Sequence, residues 1–136
     1  MSYKISKAQF DKVVALPGPQ RYSYFISKVS DWQEIWTLNS PNGIVTLGDE
    51  EGKVCVPLWP HPDYANALVK DTWSDCLPEK VDIETFMEKW IKKTNQAGYL
   101  FAVFPISDQQ GVVASPERLH GDLARGIEGN KKKRPA

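Results

Sequence analysis

Few residues in this chain are of a type that does chemistry, and they are scattered. There are two histidines, His61 and His120, and two cysteines, Cys55 and Cys76. His61 stands in the string Trp59-Pro60-His61-Pro62-Asp63-Tyr64. An imidazole there can donate, accept or titrate near neutral pH, or it can cap the helix that Pro62 starts. His120 sits just before Gly121 in the last predicted helix, a place for a solvent-facing or packing side chain. Cys55 lies between Val54 and Val56, and a thiol inside an apolar strand has a raised pKa and is inert. A Cys55–His61 dyad would therefore lack its nucleophile. Two cysteines cannot make a four-thiolate zinc site, and no Cys, His or acid cluster has metal spacing. The chain holds no His-Glu-x-x-His, no glycine-rich phosphate loop and no Gly-x-Ser-x-Gly elbow. The paired acids Asp49 and Glu50 belong to a turn, where solvation explains them. The residues assign no catalytic group, no metal and no cofactor.

Aromatic side chains are the one chemical feature in excess. The chain carries five tryptophans, of which Trp90 fits the core stripe of a helix while Trp36 and Trp59 lie on strands that a meander can place near each other. A solvent-facing Trp36–Trp59 pair would form an adhesive rim for a protein or peptide. Core packing explains the same residues, since tryptophan is highly buried on average. Pro60 and Pro62 fix the chain around His61 in advance, and the free N–H groups of the helix that follows can receive an anion or a carbonyl. Trp36, Trp59, His61 and Tyr64 are accordingly the candidate binding residues. The alternative is that the two prolines merely end a strand and start a helix.

The elements that must position these residues read as a single small α+β domain with about five helices on a mixed sheet. Ser6 and Gln9 fit a capping box before Phe10, Val13 and Val14, and Pro17-Gly18-Pro19 ends that helix. Tyr22, Phe25, Ile26 and Val29 predict a second helix over residues 20–29. The period then changes. Residues 34–38, 44–47 and 53–59 predict a three-strand antiparallel meander, turned at Asn42-Gly43 and at Asp49-Glu50-Glu51-Gly52. Pro57 marks an edge, a bulge or the strand end. A third helix starts at Pro62 and is expected to end near residues 72–74. Residues 80–82 form a short strand or an extended lead-in. Asp82 then caps a fourth helix with the stripe Ile83, Phe86, Met87, Trp90 and Ile91, stopped by Gly98. Residues 99–104 are apolar without alternation, as a central strand buried on both faces requires. After a polar loop at 107–111, residues 112–114 add a short strand. Ser115-Pro116-Glu117 opens a last helix that is expected to end near Arg125. The domain thus spans residues 1–125, and residues 126–136 read as a flexible basic tail.

Several separated strings, in this order, resemble the bacterial domain-of-unknown-function family 2750. They are Asp49-Glu50-Glu51-Gly52, Leu58-Trp59-Pro60-His61-Pro62-Asp63-Tyr64-Ala65, Phe86-Met87-Glu88-Lys89-Trp90, Ala102-Val103-Phe104-Pro105 and Ser115-Pro116-Glu117-Arg118-Leu119. The resemblance covers about residues 5–125. More remotely, the plan is similar to the N-terminal domain of SseB-like proteins. The resemblance implies a small α+β domain and carries no established catalytic residues to transfer.

Composition bounds the function. The chain has 136 residues, 41% hydrophobic and 25% charged, which suits one globular domain and excludes collagen, a disulfide scaffold and wholesale disorder. No apolar run approaches the ~20 residues of a membrane span, and the opening residues lack a signal-peptide core, so a soluble cytoplasmic protein is expected. Charge is balanced, 17 basic against 17 acidic, but Lys131, Lys132, Lys133 and Arg134 crowd the end. The body is thereby left mildly acidic, with no electrostatic reason to bind nucleic acid. The expected function is a non-catalytic protein-interaction domain of adaptor or immunity type, its partner another protein or a second copy of the chain. The alternative is a small ligand-binding protein or enzyme with a pocket near His61.

Overall fold

The computed structural model describes residues 4–49, 51–107, 109 and 111–133. Glu50 of the acid pair and Arg134 of the basic run lie outside the described residues. Ser6 caps α1 (Lys7–Val14) by accepting the Gln9 amide proton on its hydroxyl. The proline corner leads into α2 (Gly18–Trp32), which runs beyond the expected 20–29 at both ends and buries Tyr22, Phe25 and Val29. It stops where Gln33 turns left-handed, φ 59°.

β1 (Glu34–Ser40) and β2 (Gly43–Ile44) form a hairpin on the Asn42-Gly43 turn, with Gly43 at φ 114°. The return strand expected at 44–47 is split. Its second part, β3 (Leu47–Gly48), leaves β1 and pairs with β4 (Val54–Leu58). Pro57 explains the split. β1 and β4 meet antiparallel at Trp36 and Trp59, which exchange both backbone bonds at 2.9 and 2.8 Å. The next exchange would join Leu38 to Pro57, and Pro57 has no N–H to donate. The Leu38 carbonyl accepts the Val45 N–H instead, at 3.0 Å. The Pro57 carbonyl accepts the Thr37 hydroxyl at 2.8 Å.

The meander is therefore corrected in detail. β1 takes as its long partner β5 (Leu77–Asp82), paired from Glu34–Asp82 to Asn39–Leu77, where residues 80–82 alone hinted at a strand. Pro78 faces Leu38, whose backbone groups point the other way toward β2, so no ladder bond is lost there. β4 pairs in parallel with β6 (Leu100–Val103), which pairs antiparallel with β7 (Val112–Ala114). The strand orders are β2-β1-β5 and β3-β4-β6-β7. β6 is internal, and Phe101, Ala102 and Val103 are buried, as their unbroken apolar run requires.

Three helical boundaries depart from expectation. α3 (Pro62–Asn66) ends early, because Leu68 and Val69 make tighter three-residue bonds and Asp71 takes φ 52°, outside any α-helix. A short 3-10 turn, Asp71–Trp73, follows. The fourth helix opens as α4 (Ile83–Thr85), widens into a π turn (Phe86–Trp90) and closes as α5 (Ile91–Gln96). The last helix, α6 (Pro116–Lys133), continues past Arg125. Gly126 passes so close to Ser30 of α2 that a Cβ there would overlap the serine hydroxyl. Ile127 packs on the core, and Asn130 donates to Asp31 at 2.8 Å. The chain is a single small α+β domain with five helices, counting Ile83 to Gln96 as one, and two sheets. Among the described residues no helix is long and apolar enough to cross a membrane.

Candidate functional site

β4 ends at the Trp59–His61 corner, and the candidate residues there turn inward. Trp59 is wholly buried, and its indole N–H donates to the Pro105 carbonyl at 2.8 Å. His61 is 3% exposed and caps α3. Its Nδ1 accepts the Asp63 N–H at 3.0 Å. A nitrogen that accepts this proton cannot also donate to the Asp63 carboxylate, 3.7 Å away, so the cap and not an ion pair governs the contact. Tyr64 is buried between Phe10, stacked at 5.1 Å, and Phe104 at 4.8 Å. Its hydroxyl lies 3.4 Å from that of Tyr24, which accepts from the Gln9 amide. Burial first, then the bond to Tyr24, pushes the Tyr64 phenol well above its ordinary pKa. Trp36 is half-buried and its indole donates to Glu34 at 3.2 Å. The structure thus brings Trp36 and Trp59 together through their backbones and places His61 against Tyr64, ring centroids 6.2 Å apart. The Trp59 side of the expected rim belongs to the core.

Both thiols are buried. Burial, with the nearby charge of Asp49, holds the Cys55 thiol above its ordinary value. Among the described residues no group of three or more His, Cys, Asp or Glu side chains could hold a metal ion.

A groove on another face carries more accessible chemistry. It encloses about 520 Å³ between the split return strand and the π turn. Ile44 and Val56 line its floor, with Trp90 and Tyr99 beside them. Lys89 and Lys93 stand one turn apart along its rim, and neither ammonium is paired with a carboxylate among the described residues. Thr46, Thr85 and Thr94 add hydroxyls. The π turn produces this placement. Ile91 bonds back to the Phe86 carbonyl, five residues away, so an extra residue enters the turn. Phe86 stays fully buried against Phe101, 5.3 Å between centroids, while Trp90, 6.2 Å from the Phe86 ring, packs on the core half-buried and lines the groove with the rest of its surface. Such turns recur at functional sites.

The family model described as "Protein of unknown function (DUF2750)" matches residues 22–123. The chain belongs to the DUF2750 family. The matched span of this DUF2750 chain runs from Tyr22 in α2 to Leu123 in α6, and so includes both sheets and the groove. The remoter likeness to SseB-like proteins is not supported. No curated protein and no solved structure matches the chain.

Sequence reasoning missed Lys89, Lys93, Tyr99 and Thr46 as site residues. The lysine spacing was visible, but lysines toward the end of a helix read equally well as a solvated face that complements its dipole.

Proposed function

We propose that this DUF2750 domain is a non-catalytic protein-interaction module of adaptor or immunity type, and that the groove beside Trp90 receives its partner. The observation that carries this reading is the combination in one concave surface of a half-exposed tryptophan, an exposed tyrosine and two unpaired lysines over an apolar floor. Aromatic anchors within apolar pockets dominate binding energy at interfaces, and a cationic rim adds steering and selectivity. The partner is another protein, and the compartment is the cytoplasm. The test is capture from the native host by immobilised wild type and by Trp90→Ala, each checked for folding by circular dichroism. A specific partner should be retained by the wild type and weakened at least tenfold by the variant, about 1.4 kcal/mol. Undiminished capture by folded Trp90→Ala would remove the groove from the reading.

One observation favours a second reading, a small-ligand site. Tyr64 lines an apolar cleft of about 260 Å³ with Phe10, Val14, Ala67, Leu68 and Ile106. His61 supports Tyr64 from behind. Filling the cleft with Ala67→Trp should abolish any ligand-induced thermal stabilisation under this reading and leave partner capture intact.

A further inference from the structure

The wall of the Trp90 groove opposite the π turn is an unpaired strand edge. β2 is outermost in its sheet and β3 is outermost in the other, and Ile44 and Thr46 lie on the border between them. The direction of their backbone groups follows from the printed bonds. Val45 donates to Leu38 of β1, and Leu47 sits opposite Cys55 of β4 in the ladder that Asp49 continues by donating to Lys53. In an extended antiparallel segment, successive residues turn their N–H and C=O to alternate sides. Val45 and Leu47 therefore face inward, and Ile44 and Thr46 present theirs outward, where no strand pairs among the described residues. Ile44 and Thr46 are also the two residues of this segment that line the groove. The opposite edge of the first sheet is guarded. On β5 the outward positions are Pro78, Lys80 and Asp82, a proline and two charges. The edge at Ile44 and Thr46 has no such guard, and neither residue is charged.

We propose that this edge is completed by strand addition: an extended acidic segment of a partner protein pairs with the backbone of Ile44 and Thr46 while its carboxylates meet Lys89 and Lys93. The inference rests on the reading of the groove as a docking face and names its occupant. Charge selects the occupant. The two ammonium groups on the rim, which meet no carboxylate among the described residues, favour an anionic guest over a cationic one. Lysines four apart on a helix lie roughly 6 Å apart, close to the ~6.6 Å between alternate residues of a strand. Alternate acids on an extended guest would therefore match them, while the intervening side chains turn to the opposite face of the added strand, away from the groove. A second copy is a poorer guest, because residues 43–48 carry no carboxylate to answer the lysines.

The probe is a capped eight-residue peptide alternating valine and glutamate, titrated into the full chain and followed by amide and indole NMR shifts. The controls are its lysine counterpart and the same acidic peptide N-methylated at alternate residues, made in each of the two registers. The acidic peptide should shift the amides of Ile44 and Thr46 and the indole of Trp90. The lysine peptide should bind at least tenfold more weakly, N-methylation of the pairing edge should abolish the Ile44 and Thr46 shifts, and Lys89→Glu with Lys93→Glu should reverse the charge preference. Three outcomes overturn strand addition by an acidic partner. The first is no shift at Ile44 and Thr46. The second is undiminished binding of both N-methylated registers. The third is a shift on raising protein concentration alone, which identifies a second copy as the guest. Loss of host-partner capture in Trp90→Ala alongside any of these would leave the docking groove standing and remove only the strand; unchanged capture would remove the groove itself.

Discussion

His61 is best understood as the first hydrogen-bond acceptor of α3, buried beneath Tyr64. His61→Ala should therefore lower stability by about 1 kcal/mol, the usual worth of an N-cap. In a domain of this size that is roughly 4 °C in Tm. His61→Asn, which keeps an acceptor in place, should recover most of the loss. A thermal melt in which Ala equals the wild type would show that the cap is idle. Asp82 does the same work for α4 and adds a pH dependence. Its carboxylate accepts the Thr85 N–H first and the Thr85 hydroxyl second, and both hold its pKa below the ordinary 3.8. A depressed carboxylate contributes stability that is present above its unfolded pKa and disappears as pH falls through its folded value. Asp82→Asn also caps, but does not titrate. The variant should therefore lose less Tm than the wild type between pH 7 and pH 2, and equal losses would contradict the assignment.

At the scale of elements, β6 shows how one irregular strand end is fixed. Phe104 is buried at φ 60°, an unusual backbone for an aromatic residue. Its N–H donates to Leu58, and its carbonyl accepts from Nε of the buried Arg21, which also reaches the Leu16 carbonyl and Gln109. Gly111, at φ 87°, lies against this corner, and a Cβ on it would overlap the Val103 carbonyl. Overpacking costs about 1–3 kcal/mol, and left-handed backbone adds roughly 1–2. Gly111→Ala should thus cost about 3 kcal/mol by denaturant unfolding; a neutral result would mean that the 104–111 corner rearranges freely. The sequence made the apolar run of β6, the Asn42-Gly43 turn and the caps Ser6, Asp82 and Ser115 readable, because each depends on neighbours in the chain. It hid what depends on distant partners. Residues 77–79 become strand because β1 supplies the ladder, although Pro78 argues otherwise locally. Trp90 packs on the core as its spacing predicts, but its half-exposure beside the groove depends on distant strands, and Arg21 looks like a surface charge until its carbonyl acceptors are assembled around it. The candidate site was legible only in its residue types. Tyr64 is covered by Phe10 of α1 and by Phe104, and the Trp59 indole is closed off by the Pro105 carbonyl, partners far away in the chain.

For the whole molecule, the end of α6 decides where the domain stops. Residues 126–136 are almost without apolar side chains, yet Ile127 packs on the core and Asn130 reaches Asp31. We propose that the part of α6 on which folding depends ends at Asn130. Truncation after Asn130 should leave Tm within about 2 °C, whereas truncation after Gly126 should lower it by several degrees, since a partly buried isoleucine contributes roughly 1 kcal/mol or more. Equal melts for the two would place the boundary at Gly126. Pro57 has a consequence on the same scale. It leaves the two sheets joined by the Trp36–Trp59 exchange and the Thr37 hydroxyl, while β4 and β6 share a full parallel ladder. Few backbone bonds therefore cross from one half of the protein to the other, side-chain packing carries the rest, and the join is a line of weakness. The half built on β1 and β5 should open as its own cooperative unit before the half built on β4 and β6. Native-state hydrogen exchange in mild denaturant would reveal this as lower opening energies for the Trp36 and Trp59 amides than for those of Phe101 to Val103. A single shared opening energy would show that packing alone welds the halves into one unit.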